Sequence, residues 1–187
     1  MITAILGCMF SSKTTTLLTY ERRFHILKKK ICVIKHSIDK RYSQSESKIV
    51  SHDGSVCLYS DVLTTHYLSE LIDTIVNNNY DCILIDEGQF FPDLKEFCNS
   101  FRLNKQIVIA GLLSDYKLEA FKSISDILPM CDKIIHLTAL CTKCGDDAPF
   151  TSRIVNIESQ TLIGSSDMYE PRCSKCHTIP STIPSTN

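Results

Sequence analysis

At 187 residues the chain is long enough for one buried core and a small satellite, and its 43% hydrophobic and 22% charged content are those of an ordinary globular protein. Lys plus Arg (20) nearly balances Asp plus Glu (21), so no global field draws the chain to nucleic acid or to a membrane surface. No apolar run reaches the length of a membrane span, and the N-terminus has no charged region ahead of a cleavage site, so the expected location is a reducing compartment, the cytoplasm.

In chain order, "ITAIL" (2–6), "ICVIK" (31–35), "DCILID" (81–86), "QIVIAGL" (106–112) and "KIIHL" (133–137) are short, rich in Ile and bounded by polar residues. That pattern predicts strands buried on both faces. Between them, residues 13–28 place Leu17, Tyr20, Phe24 and Leu27 on one helical stripe, residues 67–77 carry Leu68, Leu71, Ile72 and Ile75, and residues 93–102 carry Leu94, Phe97 and Phe101. The run Lys28-Lys29-Lys30 reads as a solvated helix end. Strands alternating with helices predict an α/β fold with a mainly parallel sheet, whose ligands bind beyond the carboxyl ends of the strands. The polar, serine-rich stretch 37–56 is too long for a tight connection and has the length of a functional or mobile loop. After Leu140 the character changes to paired cysteines with weak periodicity, and the Pro/Ser/Thr-rich tail 178–187 reads as disordered.

The first chemical signal is "GCMFSSKT" (7–14), which follows the first strand and opens the first helix. It is the phosphate-loop pattern G-x-x-x-x-G-K-[ST] with Ser12 in place of the second glycine. Backbone N–H groups from Gly7 through Cys8, Met9, Phe10, Ser11 and Ser12 can surround phosphates, Lys13 adds a point charge, and Thr14 offers a hydroxyl to Mg²⁺. A non-glycine with positive φ at Ser12 costs on the order of 1 kcal/mol, which weakens such a loop without forbidding it. The second signal is Asp86-Glu87 at the carboxyl end of "CILID". Two acids at a strand tip also occur as a plain solvated turn. Beside a phosphate loop, Asp86 is placed to act through Mg²⁺ and Glu87 to orient or deprotonate an acceptor hydroxyl.

The third signal is the strongest. Cys141-x-x-Cys144 and Cys173-x-x-Cys176 form two thiolate pairs with 28 residues between them, a tetrahedral S₄ set for structural Zn²⁺ in a ribbon with a long insert. His177 is either a substitute ligand or a bystander. The single cysteines Cys8, Cys32, Cys57, Cys82, Cys98 and Cys131 read as small buried hydrophobes. Asp39 and Arg41 in "IDKRY" read about equally as phosphate contacts or as a surface charge pair, and His52 as a loop histidine. Phe90, Phe91, Tyr116 and Phe121 are core residues or a base-stacking wall.

Together these blocks resemble the zinc-containing, tetrameric type of thymidine kinase, and most closely its poxvirus members. The likeness runs through "ILGCMFSSKT", "VIKHSIDKRY", "SHDG", "LIDEGQFFPDLKEFC", "IVIAGL", "LTALCTKC" and "IGSSDMYEPRCSKC", nearly the whole chain. The resemblance implies a RecA-like phosphate-loop domain (1–139), a zinc ribbon with a lasso loop (140–177) and the tail. It implies transfer of the γ-phosphoryl group of ATP to the 5′-hydroxyl of thymidine, and a homotetramer; the near-neutral charge and the lack of a long apolar run point to no nucleic-acid or membrane partner. Glu87 matches the family's base. Met9, Phe90, Leu112, Tyr116, Phe121 and Thr151 match its nucleoside pocket. The lasso residues Gln160, Thr161, Leu162, Ile163 and Gly164 match the backbone groups that read thymine, and Tyr169 the residue packed on the nucleoside. Ser12, Cys8, Tyr116 and Ser165-Ser166 depart from the family's usual glycine, proline, phenylalanine and paired glycines. Ser12 also motivates a rival reading, a catalytically weakened relative that binds nucleotide as a regulator.

Overall fold

The computed structural model describes residues 1–38, 56–155 and 168–179. Within them one parallel sheet is built from β1 (Ile2–Gly7), β2 (Ile31–His36), β3 (Asp61–Thr65), β4 (Cys82–Ile85), β5 (Gln106–Gly111) and β6 (Lys133–Leu137). The strand order is β3-β2-β4-β5-β1-β6. The connections carry α1 (Lys13–Ile26), α2 (Ile72–Asn77), α3 (Leu94–Phe101) and α4 (Lys122–Ile127). Two antiparallel pairs follow, β7 (Ala139–Leu140) with β8 (Asp147–Ala148), and β9 (Phe150–Arg153) with β10 (Tyr169–Arg172). No helix among the described residues is long and apolar enough to cross a membrane.

The two-residue period of the strands sorts their side chains between two apolar layers. Ile2, Ala4 and Leu6 of β1, with Ile83 and Ile85 of β4 and Ile107 and Ile109 of β5, pack against Phe97 and Phe101 of α3 and Ile124 and Ile127 of α4. Ile5, Leu84, Val108 and Ala110 point the other way, onto Leu17 and Leu18 of α1. Continuous apolar runs are needed because helices cover both faces.

The outermost strands depart from the expected pattern. β6 pairs with β1 alone among the described strands, and Ile134 is 51% exposed, so "KIIHL" is an edge strand and not one buried on both faces. The other edge, β3, has too few apolar residues in "DVLTT" to be recognised from periodicity, and α4 is too short. The helix expected from residue 13 stops at Ile26. Leu27, expected on its buried stripe, lies past the end at 65% exposed, and Lys28 turns to φ 55°. The segment expected as one helix over 67–77 begins as a 3₁₀ turn, Leu68–Leu71, before α2. Of the single cysteines, Cys131 is half-buried and the rest are buried, as small hydrophobes should be.

Helix α1 also buries a carboxylate. Glu21 is fully buried, and its Oε1 accepts from the N–H groups of Leu58 (3.2 Å) and Tyr59 (2.8 Å), the Ser60 hydroxyl (2.8 Å) and the Cys57 thiol (3.0 Å). Burial, reinforced by this carboxylate, pushes the Cys57 thiol up to about 12. One turn later on α1, the His25 ring stacks on Tyr59 with centroids 3.9 Å apart. The helix therefore anchors the segment that brings the chain into β3. Buried donors need acceptors, so Glu21→Ala should lower the stability measured by urea unfolding by about 1–3 kcal/mol, with a smaller loss for Glu21→Gln, which keeps one acceptor oxygen. An unchanged unfolding midpoint in the alanine variant would refute this anchoring role.

Candidate active site

β1 runs straight into the phosphate-loop pattern at its carboxyl end. At Gly7 a Cβ atom would lie 2.4 Å from the Leu137 carbonyl oxygen and 2.5 Å from Ser11 Oγ, so close approach of the neighbouring strand dictates glycine there. The loop then passes through two left-handed residues, Phe10 (φ 66°) and Ser12 (φ 61°, ψ 30°). Ser12 thus adopts the conformation that the missing glycine would take without strain. The Ser11 hydroxyl and the Lys13 ammonium both donate to the Cys8 carbonyl, at 2.8 and 2.6 Å, and α1 begins at Lys13.

Asp86 is buried at the end of β4, and the Thr14 hydroxyl lies 3.2 Å from each of its carboxylate oxygens. A hydroxyl and a carboxylate in contact at the start of a helix fit the hard oxygen ligands of Mg²⁺. Glu87 follows in the left-handed region (φ 52°, ψ 46°), and its N–H donates to Asp86 Oδ1 at 3.1 Å. Its Oε2 accepts from Gln89 Nε2 at 2.6 Å. Gln89 Oε1 in turn accepts the N–H of Leu112, the residue after β5, at 3.0 Å. The tips of β1, β4 and β5 are thereby joined through side chains.

The residues matched to a nucleoside pocket fall into separate groups. Met9 N–H donates to Thr151 Oγ1 at 3.0 Å, which ties the phosphate loop to β9. Tyr116 and Tyr169, both buried, meet through Arg153. Its guanidinium lies 3.9 Å from the Tyr116 ring centre and 5.2 Å from that of Tyr169, and Nη2 donates to the Tyr169 hydroxyl at 2.7 Å. Phe90 is half-buried, its ring 5.9 Å from that of His36, and Leu112 is held by Gln89. Phe121 packs against the core layer of α3 and α4. A small cavity at the same strand ends is lined by Gly7, Cys8, Ser114, His136, Phe150 and Thr151. Arg153 and Gln89 were not singled out by the sequence. They are polar residues inside otherwise recognisable blocks, and only their burial gives them away. Asp39, Arg41, His52, Gln160, Thr161, Leu162, Ile163, Gly164, Ser165 and Ser166 lie outside the described residues.

The four paired cysteines do converge. Their sulfur atoms all lie within 4.8 Å of one another, with Cys144 and Cys173 3.5 Å apart. Zinc–sulfur bonds of about 2.3 Å give a tetrahedron with edges of about 3.8 Å, so the set fits one Zn²⁺ with no open position. Burial pushes the Cys141 thiol up, but N–H groups of Cys173, Lys143 and Cys144 outweigh it and bring the thiol down to about 6. His177 packs against Phe150, ring centres 5.4 Å apart, and is not one of the four. Two further contacts join this region to the phosphate loop: the Met9–Thr151 bond above and one from the Cys8 thiol to the Ala148 carbonyl at 3.1 Å.

The thymidine kinase family model matches residues 1–177. A thymidine kinase of Choristoneura biennis entomopoxvirus is 38% identical over 185 residues, covering 97% of this chain and 98% of its own. That of sheeppox virus is 36% identical over 92% of this chain and 94% of its own, and that of vaccinia virus 34% over 94% and 96%. The match spans the phosphate loop, the acids after β4 and the cysteine pairs in one collinear run, and on that ground the chain belongs to the thymidine kinase family.

Proposed function

We propose that the chain is an ATP-dependent thymidine kinase in which the loop Gly7–Thr14 holds the nucleotide phosphates and Glu87 is the base. The main support is the contact of Thr14 with Asp86 beside Glu87, at the common carboxyl edge of β1 and β4. Backbone N–H groups of the loop and the start of α1 offer donors to phosphate, and Lys13 adds its charge. Thr14 and Asp86 would hold Mg²⁺, which neutralises phosphate charge when bound. Glu87 takes the proton of the thymidine 5′-hydroxyl, the oxygen bonds to the γ-phosphorus, and the bond to the β-phosphate oxygen breaks to release ADP.

Met9, Phe90, Leu112, Tyr116, Phe121, Thr151 and Tyr169 form the nucleoside pocket in this reading, with Asp39 and Arg41 reaching the phosphates and Gln160–Gly164 reading the base edge. Residues 1–139 then make the nucleotide-binding domain and 140–177 the zinc ribbon that brings Thr151 and Tyr169 to the nucleoside. Exposed Ile134 on β6, which has no second partner among the described strands, and exposed Leu140 on β7 support a homotetramer, and thiols that hold zinc suit the cytoplasm.

Purified protein should phosphorylate thymidine with ATP, and Glu87→Gln should lower kcat by about 10²–10⁴-fold with little change in the KM for ATP. Deoxycytidine should be rejected by about 10⁴-fold or more in kcat/KM, because its reversed edge leaves buried polar groups unpaired. Deoxyuridine, lacking one methyl, should lose only about 10–200-fold. Equal use of deoxycytidine and thymidine would rule out a thymidine-selective pocket.

Ser12→Gly should relieve about 1 kcal/mol of left-handed strain, raising the unfolding midpoint and lowering the KM for ATP. Identical midpoints and ATP kinetics would show that the serine sits there without cost.

Metal analysis should find one zinc per chain, lost in Cys173→Ser. Because Cys8 and Met9 bond to Ala148 and Thr151, this variant should raise the KM for ATP as well as for thymidine. An active sample with less than about half a zinc per chain would contradict a structural role for the metal.

A further inference from the structure

Arg153 ends β9 and pairs with Tyr169, the first residue of β10, while Thr151 pairs with Pro171. The two-residue period of strands puts these four on one face of the pair, and all four are buried. From this face Thr151 reaches the phosphate loop, through the Met9 N–H, and Arg153 reaches Tyr116. Tyr116 is itself held in place. The Asp115 carboxylate accepts the N–H groups of Lys117 (2.8 Å) and Glu119 (2.9 Å), which closes the turn that follows β5. The pairing of β9 with β10 continues past Arg153, since the Ile154 N–H donates to the Met168 carbonyl at 2.9 Å. A guanidinium can bind in two ways at once, with a flat face that stacks on a ring and an edge of N–H donors. Arg153 sets its face 3.9 Å from the Tyr116 ring centre and its edge, through Nη2, 2.7 Å from the Tyr169 hydroxyl. A cation over an aromatic face is held more strongly when it is desolvated, as this one is.

We propose that Arg153 is a positioning residue for the nucleoside: stacked on Tyr116 and bonded to Tyr169, its guanidinium sets the spacing of two aromatic walls that come from the loop after β5 and from β10. The inference rests on the reading of the chain as a thymidine kinase with Tyr116 and Tyr169 in its nucleoside pocket. The two tyrosines are far apart in sequence, and the register of β9 with β10 brings Arg153 to both. Arg153 acts on the acceptor side. The ties between the cysteine-bearing region and the phosphate loop run through Ala148 and Thr151 to Cys8 and Met9, and replacing Arg153 leaves those atoms in place. Its loss should therefore be felt by thymidine and not by ATP, unlike loss of the zinc site.

The test uses the full, zinc-loaded chain and measures thymidine binding by calorimetry, the KM for each substrate, and zinc content. Arg153→Leu should weaken thymidine binding and raise its KM by about tenfold or more, with the KM for ATP within about twofold, kcat within about threefold and zinc retained. Arg153→Lys keeps the charge but has neither a flat face nor a second nitrogen, and should raise the thymidine KM by about threefold or more. The lysine variant decides the matter if the leucine variant does not fold. Thymidine binding and KM equal to wild type in either folded variant overturn the proposal. So does a folded variant in which both KM values rise together or zinc is lost, since Arg153 would then only support the cysteine-bearing region. A wild-type chain that binds no thymidine defeats the kinase reading and this proposal together, whereas wild-type binding that a variant matches defeats this proposal alone.

Discussion

The parallel ladder of β4, β5 and β1 is the constraint on which the rest of the structure depends. Leu6 pairs with Gly111 and Ile85 with Ile109, so the three strands deliver their carboxyl ends to one edge. Helices cover both faces, and a one-residue slip would turn each strand's two apolar sets onto the wrong layers. The register is therefore held by the core, and the site inherits its precision from it. From that edge emerge the phosphate loop after Gly7, the acids after Ile85 and the loop after Gly111. Thr14 to Asp86 and Gln89 to Leu112 are then short side-chain spans between backbones already in place.

Strain collects at the same edge. Phe10, Ser12 and Glu87 all take left-handed backbone angles without being glycine, each at a cost of roughly 1 kcal/mol. Elsewhere such residues sit at ordinary turns and helix ends, as Lys28 and Asn79 do. Around the candidate site the sheet and α1 hold the loop ends apart at set positions, and the chain between them has to turn sharply. A serine in place of a glycine in the phosphate loop fits this picture, since the same backbone is reached at a modest energetic cost.

The cysteine-bearing region is coupled to the Gly7–Thr14 loop more directly than a separate zinc module would need to be. The Cys8 thiol and the Met9 N–H bond to Ala148 and Thr151, and Arg153 joins Tyr116, in the loop after β5, to Tyr169 on β10. Cys141, Cys173 and Ala148 share a small apolar cluster beside these contacts. Zinc ligation would thus stabilise not only the two hairpins but one wall of the phosphate loop and the two tyrosines that Arg153 joins.

The amino-acid sequence alone determined the α/β alternation, the central strands, the phosphate-loop pattern, the acid pair and the two thiol pairs. These are legible because each depends on local chemistry: continuous apolar runs, a glycine where strands crowd, two carboxylates at a strand tip, thiols in C-x-x-C spacing. The strand order, the exposure of β6, and the edge strand β3 were decided by the tertiary structure, because whether a run is central or peripheral depends on neighbours distant in sequence. The same holds for Gln89, Arg153 and Glu21. Nothing in "EGQF", "TSRI" or "TYERR" separates a buried polar side chain from a solvated one. Their roles arise only when folding removes water and leaves Leu112, Tyr116 and the backbone of residues 58 and 59 as the partners within reach.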